Sequence, residues 1–60
     1  MVMSDFEQLQ TLLALSQNSD FYEEPAWEYC EDRNLAMYSH SRPYVITRAF
    51  NAGWRPDAFV

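Results

Sequence analysis

The stretch that decides the fold is Asp20-Phe-Tyr-Glu-Glu-Pro-Ala-Trp-Glu-Tyr-Cys-Glu-Asp32, with six carboxylates, no base and four aromatic rings. Pro25 suits the first turn of a helix, because the N–H that proline lacks would have no partner there. Acids in that turn also interact favourably with the helix dipole. The sequence therefore predicts a helix that begins near Pro25 and ends at Asn34-Leu35, with Asn34 in the left-handed conformation.

Placed on a helix, at about 100° per residue, this stretch separates into two faces. One face carries Trp27, Cys30 and Asn34, flanked by Ala26 and Tyr29, and it is predicted to face the core. The opposite face carries four acids at spacings of three and four, here named the acidic ridge: Glu24, Glu28, Glu31 and Asp32. Like charges at these spacings disfavour a helix. The ridge is therefore either simply solvated or bound by a partner.

A first helix is predicted before this stretch. Ser4 and Glu7 match the capping box, in which both side chains satisfy free amides at the helix start. Apolar residues then recur at helical spacing, which predicts a buried stripe of Phe6, Leu9, Leu12 and Leu13. The helix is predicted to stop at Asn18-Ser19-Asp20.

A third helix is predicted with Ser41 as its N-cap, Pro43 in its first turn and its end at Gly53, where Trp54 packs back on the last turn. Its buried face is predicted to consist of Val45, Ile46, Ala49, Phe50 and Ala52. Two alternatives stay open. The second helix could continue to Tyr38 instead of ending at a connection over residues 35–41, and Val45-Ile46-Thr47 could begin a short strand.

The predicted fold class is all-α, a bundle of three short helices in a single domain over residues 1–60. Its core is expected to combine Trp27, Phe50 and the leucines of the first helix. One cysteine and one histidine allow neither an internal disulfide nor a zinc site of four such side chains, so no metal and no cofactor are predicted. A chain this short is marginally stable, which makes self-association or a partner a reasonable expectation.

Charge is divided unevenly along the chain. Residues 1–32 carry eight acids and no base, whereas residues 33–60 carry four arginines and one acid, so the halves hold −8 and +3 of the net −5. Binding to a phosphate backbone draws on many basic residues, so the composition argues against general nucleic-acid binding. The division also permits an assembly in which the acidic half of one copy docks on the basic half of the next.

The sequence predicts a cytoplasmic protein with no membrane association. The first residues carry no basic segment followed by an apolar run, as a secretory signal would. The longest apolar run, Leu12 to Leu15, is far shorter than the roughly 20 residues of a spanning helix.

Catalysis is not predicted. Cys30 and His40 are the only conventional nucleophile and base, and Cys30 falls among Trp27 and Tyr29 on the presumed core face. Burial raises the pKa of a thiol, whereas a reactive cysteine needs a partly exposed, electropositive setting. The protein is therefore predicted not to be an enzyme.

The third helix supports an alternative function in DNA binding. Polar and basic side chains share one of its faces, and a recognition helix in the major groove carries such residues. The DNA-binding residues would be Tyr44, Arg48, Asn51 and Arg55. In a competing interpretation, these arginines pair with the acids of the second helix, within one chain or between chains.

The acidic ridge supports the leading hypothesis, which is binding to a protein with a basic surface. Carboxylates at one-turn spacing can imitate the phosphate row of DNA, and tyrosine and tryptophan supply common interface anchors. The predicted partner-binding residues are Glu24, Glu28, Glu31, Asp32 and Tyr29.

Two fragments, Ala26-Trp-Glu-Tyr-Cys30 and Arg48-Ala-Phe-Asn-Ala-Gly-Trp54, resemble short proteins encoded by tailed bacteriophages. The likeness covers about half the chain and ends at Arg55-Pro56-Asp57. It implies a small accessory protein in the host cytoplasm that inhibits or modulates a host protein, such as a nucleic-acid-acting enzyme or a defence factor. No catalytic residue comes with the resemblance.

Overall fold

Three α-helices form the fold in a computed structural model that describes residues 3–59. They are α1 (Asp5–Ser16), α2 (Glu23–Asp32) and α3 (Arg42–Asn51), and a 3-10 turn follows at Asp57–Phe59. Residues 3–59 contain no strand, and Val45-Ile46-Thr47 lie inside α3. The predicted all-α fold of three short helices is therefore confirmed, and the strand alternative is wrong.

Helix α1 begins at the predicted cap. The Ser4 Oγ accepts a hydrogen bond from the Glu7 N–H at 3.2 Å, and the Ser4 hydroxyl also lies 3.2 Å from Glu7 Oε1. The Glu7 carboxylate accepts from the Ser4 hydroxyl and, among the described residues, not from the Ser4 N–H, so only the Ser4 half of the predicted capping box forms. The helix ends at Ser16, earlier than the predicted stop at Asn18, and the buried Ser16 hydroxyl donates to the Leu13 carbonyl at 2.9 Å.

Helix α2 begins at Glu23, so Pro25 occupies its third position. Proline is tolerated there because N–H groups of the first turn have no partner within the helix. Asn34 has a positive φ of 55°, and the Asn34 and Leu35 N–H groups donate to the carbonyls of Glu31 and Cys30. This Schellman motif confirms the predicted end, and continuation to Tyr38 is wrong because the helix has already closed.

Helix α3 ends in the same motif. Gly53 has a φ of 111°, and the Gly53 and Trp54 N–H groups donate to the carbonyls of Phe50 and Ala49, each at 3.0 Å. At the other end Ser41 is the N-cap residue, as predicted, but its side chain caps no amide. Its hydroxyl instead lies 3.2 Å from the Ser39 hydroxyl.

The core forms where α3 packs against both α1 and α2. Its buried apolar residues are Leu12, Ala26, Cys30, Val45, Ile46, Ala49, Phe50 and Trp54. On α2 only small side chains are fully buried, and small residues at a contact let two helices approach closely. The Schellman motif at the end of α3 turns the chain back, so that the Trp54 ring packs in the same core.

Several predicted core residues lie elsewhere. Trp27 is half-buried at the edge of the core and Asn34 is exposed, because the inner face of α2 is centred on Ala26 and Cys30. Ala52, the C-cap residue of α3, is only half-buried. Phe6 is 71% exposed, although it belongs to the apolar stripe predicted for α1. It lies in the first turn, and the burial on this helix is centred further along, at Leu12 and Ser16.

Candidate partner-binding site

The acidic ridge lies on the exposed side of α2. Glu24, Glu28, Glu31 and Asp32 are all exposed. The ion pairs within residues 3–59 join Arg42 to Asp20 and Arg55 to Asp5, so neither involves the ridge. Pairing of the chain's own arginines with the acids of α2, a possibility raised by the sequence, does not occur within these residues.

Arg42 joins the end of α1 to the start of α3. Its guanidinium Nη1 donates to the carbonyls of Ser16 at 2.6 Å and Gln17 at 3.2 Å, and its Nε lies 3.1 Å from Asp20 Oδ1. The last carbonyls of a helix lack partners within it and carry the negative end of the dipole. Arg42 therefore provides hydrogen-bond donors for the carbonyls at the end of α1, and its ion pair with Asp20 holds the loop that leads to α2.

Arg55 plays the same part at the end of α3. Its Nη1 donates to the carbonyls of Phe50 at 3.0 Å and Trp54 at 2.7 Å, and its guanidinium carbon lies 3.5 Å from the centre of the Phe50 ring. Its Nη2 lies 3.4 Å from Asp5 Oδ1. The charge of Arg55 is thus compensated by backbone, ring and carboxylate together.

The other two arginines also make contacts within the chain. Arg48 Nε donates to the Ala36 carbonyl at 3.2 Å, which ties α3 to the connection after α2. The Arg33 guanidinium lies over the Tyr29 ring, 3.6 Å from its centre.

The residues of the DNA-binding alternative are therefore largely engaged inside the fold. Besides Arg48 and Arg55, Tyr44 is half-buried and its hydroxyl accepts the Tyr38 N–H at 3.2 Å. Asn51 is exposed. The basic groups do not form a free surface that could follow a phosphate backbone.

Tyr29 lies at the junction of α2 with the end of α3. It is half-buried, its hydroxyl donates to the Ala52 carbonyl at 2.9 Å, and Arg33 covers its ring. A Cβ at Gly53 would come within 3.1 Å of the same hydroxyl oxygen. Of the predicted partner-binding residues, Tyr29 is thus the one that also has a structural task.

A shallow recess of about 380 Å³ adjoins the ridge, and its lining consists of Asp20, Glu23, Glu24, Trp27 and Glu28. The His40 ring stacks on Trp27 with ring centres 4.8 Å apart. This grouping was not predicted from the sequence, because Trp27 was expected to lie in the core. Its spacing of three from Glu24 was the available signal, because residues three apart are neighbours on a helix surface.

Cys30 is fully buried, as predicted from its position on α2. Burial raises the pKa of the Cys30 thiol above its ordinary value, and the positive charge of Arg48 opposes that rise in part. The thiol is therefore protonated at neutral pH.

Over residues 3–59, no three His, Cys, Asp or Glu side chains are grouped so that they could hold a metal ion. None of the helices described is long and apolar enough to cross a membrane.

Comparisons of the chain with protein-family models, curated proteins and solved structures gave no match. The fold and the site together define a small all-α protein with an acidic face that forms no ion pair within residues 3–59.

Proposed function

We propose that this protein binds a basic surface of another protein through the acidic ridge and thereby inhibits or redirects that partner. One observation carries the proposal. The ridge carboxylates are exposed and form no ion pair within residues 3–59, while all four arginines of the chain contact backbone carbonyls, aromatic rings or other acids. The negative face is therefore available to a partner.

The energetics favour recognition of an extended basic surface. A single exposed ion pair contributes only about 0–1 kcal/mol. Several like charges in a row act together by steering the encounter and by selecting against acidic partners. Trp27 adds a half-buried ring beside Glu24 and Glu28, and such rings often contribute strongly at interfaces.

The partner class we favour is a host protein with a basic cleft that normally holds nucleic acid. Carboxylates along one side of a helix can occupy the positions that phosphates take in such a cleft. The resemblance of Arg48 to Trp54 to bacteriophage sequences fits an accessory protein of this kind. In this proposal the protein has no catalytic activity and acts by occupying its target.

The proposal is tested by affinity capture from a bacterial lysate, with the captured protein identified by mass spectrometry. Charge reversal by Glu28→Lys together with Glu31→Lys should release the partner at lower salt. Undiminished capture by this variant contradicts the proposed site. Binding of random duplex DNA at low salt, followed by fluorescence polarisation, checks the DNA-binding alternative, and saturable binding would favour that alternative.

A further inference from the structure

A second surface, distinct from the acidic ridge, is an open groove of about 420 Å³ between the loop before α2 and the segment after α3. Its walls are formed by three aromatic residues and two prolines: Phe21, Tyr22, Pro25, Trp54 and Pro56. We name it the aromatic groove. Its volume lies within the range of about 300–1,000 Å³ that is common for ligand pockets.

Phe21 is the exposed wall of the aromatic groove. Its side chain is 74% exposed, and its ring meets the Tyr22 ring edge-on at 5.1 Å with an angle of 89° between the rings. The Phe21 N–H donates to the Ser19 hydroxyl at 3.1 Å, which helps to set the backbone that presents the ring. Phe21 is therefore displayed by a structured loop at the edge of the groove.

Two of the aromatic side chains that line the groove carry hydrogen-bond donors. Tyr22 carries a hydroxyl and Trp54 an indole N–H, and the side-chain hydrogen bonds formed over residues 3–59 use neither of them. An extended segment rich in proline matches this lining, because it offers carbonyl acceptors and few N–H groups. Grooves lined by aromatic residues bind proline-rich segments in this way, and the preformed helix of such segments lowers the entropy cost of binding.

The uncompensated charge beside the aromatic groove is negative. Arg55 lines the groove, but its guanidinium is engaged by the Phe50 and Trp54 carbonyls and by Asp5. Asp57 also lines the groove and is exposed. Charge complementarity therefore calls for a basic residue next to the prolines of the ligand. A second copy of this chain fits less well, because each copy carries a net charge of −5.

From this geometry we infer that the aromatic groove binds an extended, proline-containing segment of a partner protein, with an arginine or lysine beside the prolines. The rings of Phe21 and Tyr22 hold the prolines, the donors of Tyr22 and Trp54 bond to the peptide carbonyls, and Asp57 faces the basic residue. The inference does not depend on the acidic ridge.

The probe is a fluorescein-labelled ten-residue peptide that contains two proline pairs followed by an arginine. Fluorescence polarisation with the full chain should give saturable binding. Phe21→Ala should weaken it about tenfold or more, as expected for loss of an anchoring ring. The matched control is Phe6→Ala, because Phe6 is 71% exposed and does not line the groove. The affinity of Phe6→Ala for the peptide should stay within about twofold of wild type, a far smaller change than the one expected when an anchoring ring is lost.

Two further peptides test the chemistry of the ligand. Replacing the prolines by alanine, or the arginine by glutamate, should each weaken binding. Circular dichroism of the Phe21→Ala and Phe6→Ala proteins checks that neither substitution unfolds the helices. Absence of saturable binding to the wild-type chain, or equal losses in both phenylalanine variants, overturns the inference. So does light scattering that shows a dimer abolished by Phe21→Ala, because the groove would then hold a second copy.

Discussion

The acids of α2 and the arginines of the second half of the chain have opposite positions in the fold. The ridge acids point outward and form no ion pair within residues 3–59. Arg42 and Arg55, by contrast, are directed at the carbonyls that end α1 and α3. The formal charge of +3 in residues 33–60 is thus used mainly to hold the fold together, and it does not create a basic surface. The comparison separates residues that stabilise the protein from residues available to a partner.

The largest expected effect on this comparison comes from Arg55→Ala. The substitution leaves two carbonyls without their charged donor and removes a cation from the Phe50 ring, so we expect a loss of about 2 kcal/mol in the free energy of unfolding. Urea denaturation measures it. Arg55→Met keeps most of the packing on Phe50 and should recover part of the loss. If Arg55→Ala unfolds at the same urea concentration as wild type, the arginine is not structural.

Arg42→Ala should cost somewhat less, about 1–2 kcal/mol, since its guanidinium is partly exposed. The loss reflects two carbonyls and the Asp20 carboxylate that it holds together. Asp20→Asn is the control that removes only the ion pair, and it should cost less than about 1 kcal/mol because the pair is at the surface. Equal losses in the two variants would show that the carbonyl bonds contribute nothing.

The buried Cys30 thiol on the inner face of α2 should make the stability of the protein depend on pH. The folded state raises the pKa of Cys30, so the folded protein holds the thiol proton more tightly than the unfolded chain does. This contribution is fully present below the unfolded pKa and is lost as pH rises through the higher, folded pKa. Stability of the wild type should therefore fall in that alkaline range, and Cys30→Ala should reduce the fall. Thermal unfolding at a series of pH values measures both, and identical profiles would contradict the burial of a neutral thiol.

The ridge should give the smallest effect on stability. Glu28→Gln with Glu31→Gln removes repulsion between neighbouring acids, so the free energy of unfolding should stay within about 0.5 kcal/mol of wild type or rise slightly. Urea denaturation of the ridge variant and of Arg42→Ala under the same conditions compares their free energies of unfolding. A loss as large as that of Arg42→Ala would mean that the ridge acids stabilise the fold.

Much of the backbone follows from local chemistry and was predictable. Ser4 and Glu7 mark the start of α1, and Asn34 and Gly53 mark the ends of α2 and α3, because few residues adopt a positive φ at low cost. The buried set on α3 also follows from its periodicity, apart from Ala52.

Side-chain destinations were less predictable because they depend on tertiary packing. Trp27 was placed on the core face because it shares a helix face with Cys30 at a spacing of three, but the close approach of α3 leaves only the smaller Ala26 and Cys30 fully buried there. The partners of Arg42 and Arg55 were missed for a related reason. Sequence shows the sign of a charge, whereas the carbonyls that these arginines bind are brought near only by the fold.

The central claim is tested most directly by two variants of equal net charge. Glu28→Gln with Glu31→Gln and Gln10→Lys with Asn18→Lys each change the net charge from −5 to −3, but only the first pair lies on the acidic ridge. Affinity for the partner captured from lysate is measured for both at several salt concentrations. We predict that the ridge variant binds about tenfold more weakly with a shallower dependence on salt, while the control stays within about threefold of wild type. Equal weakening of the two variants would contradict a role for the ridge.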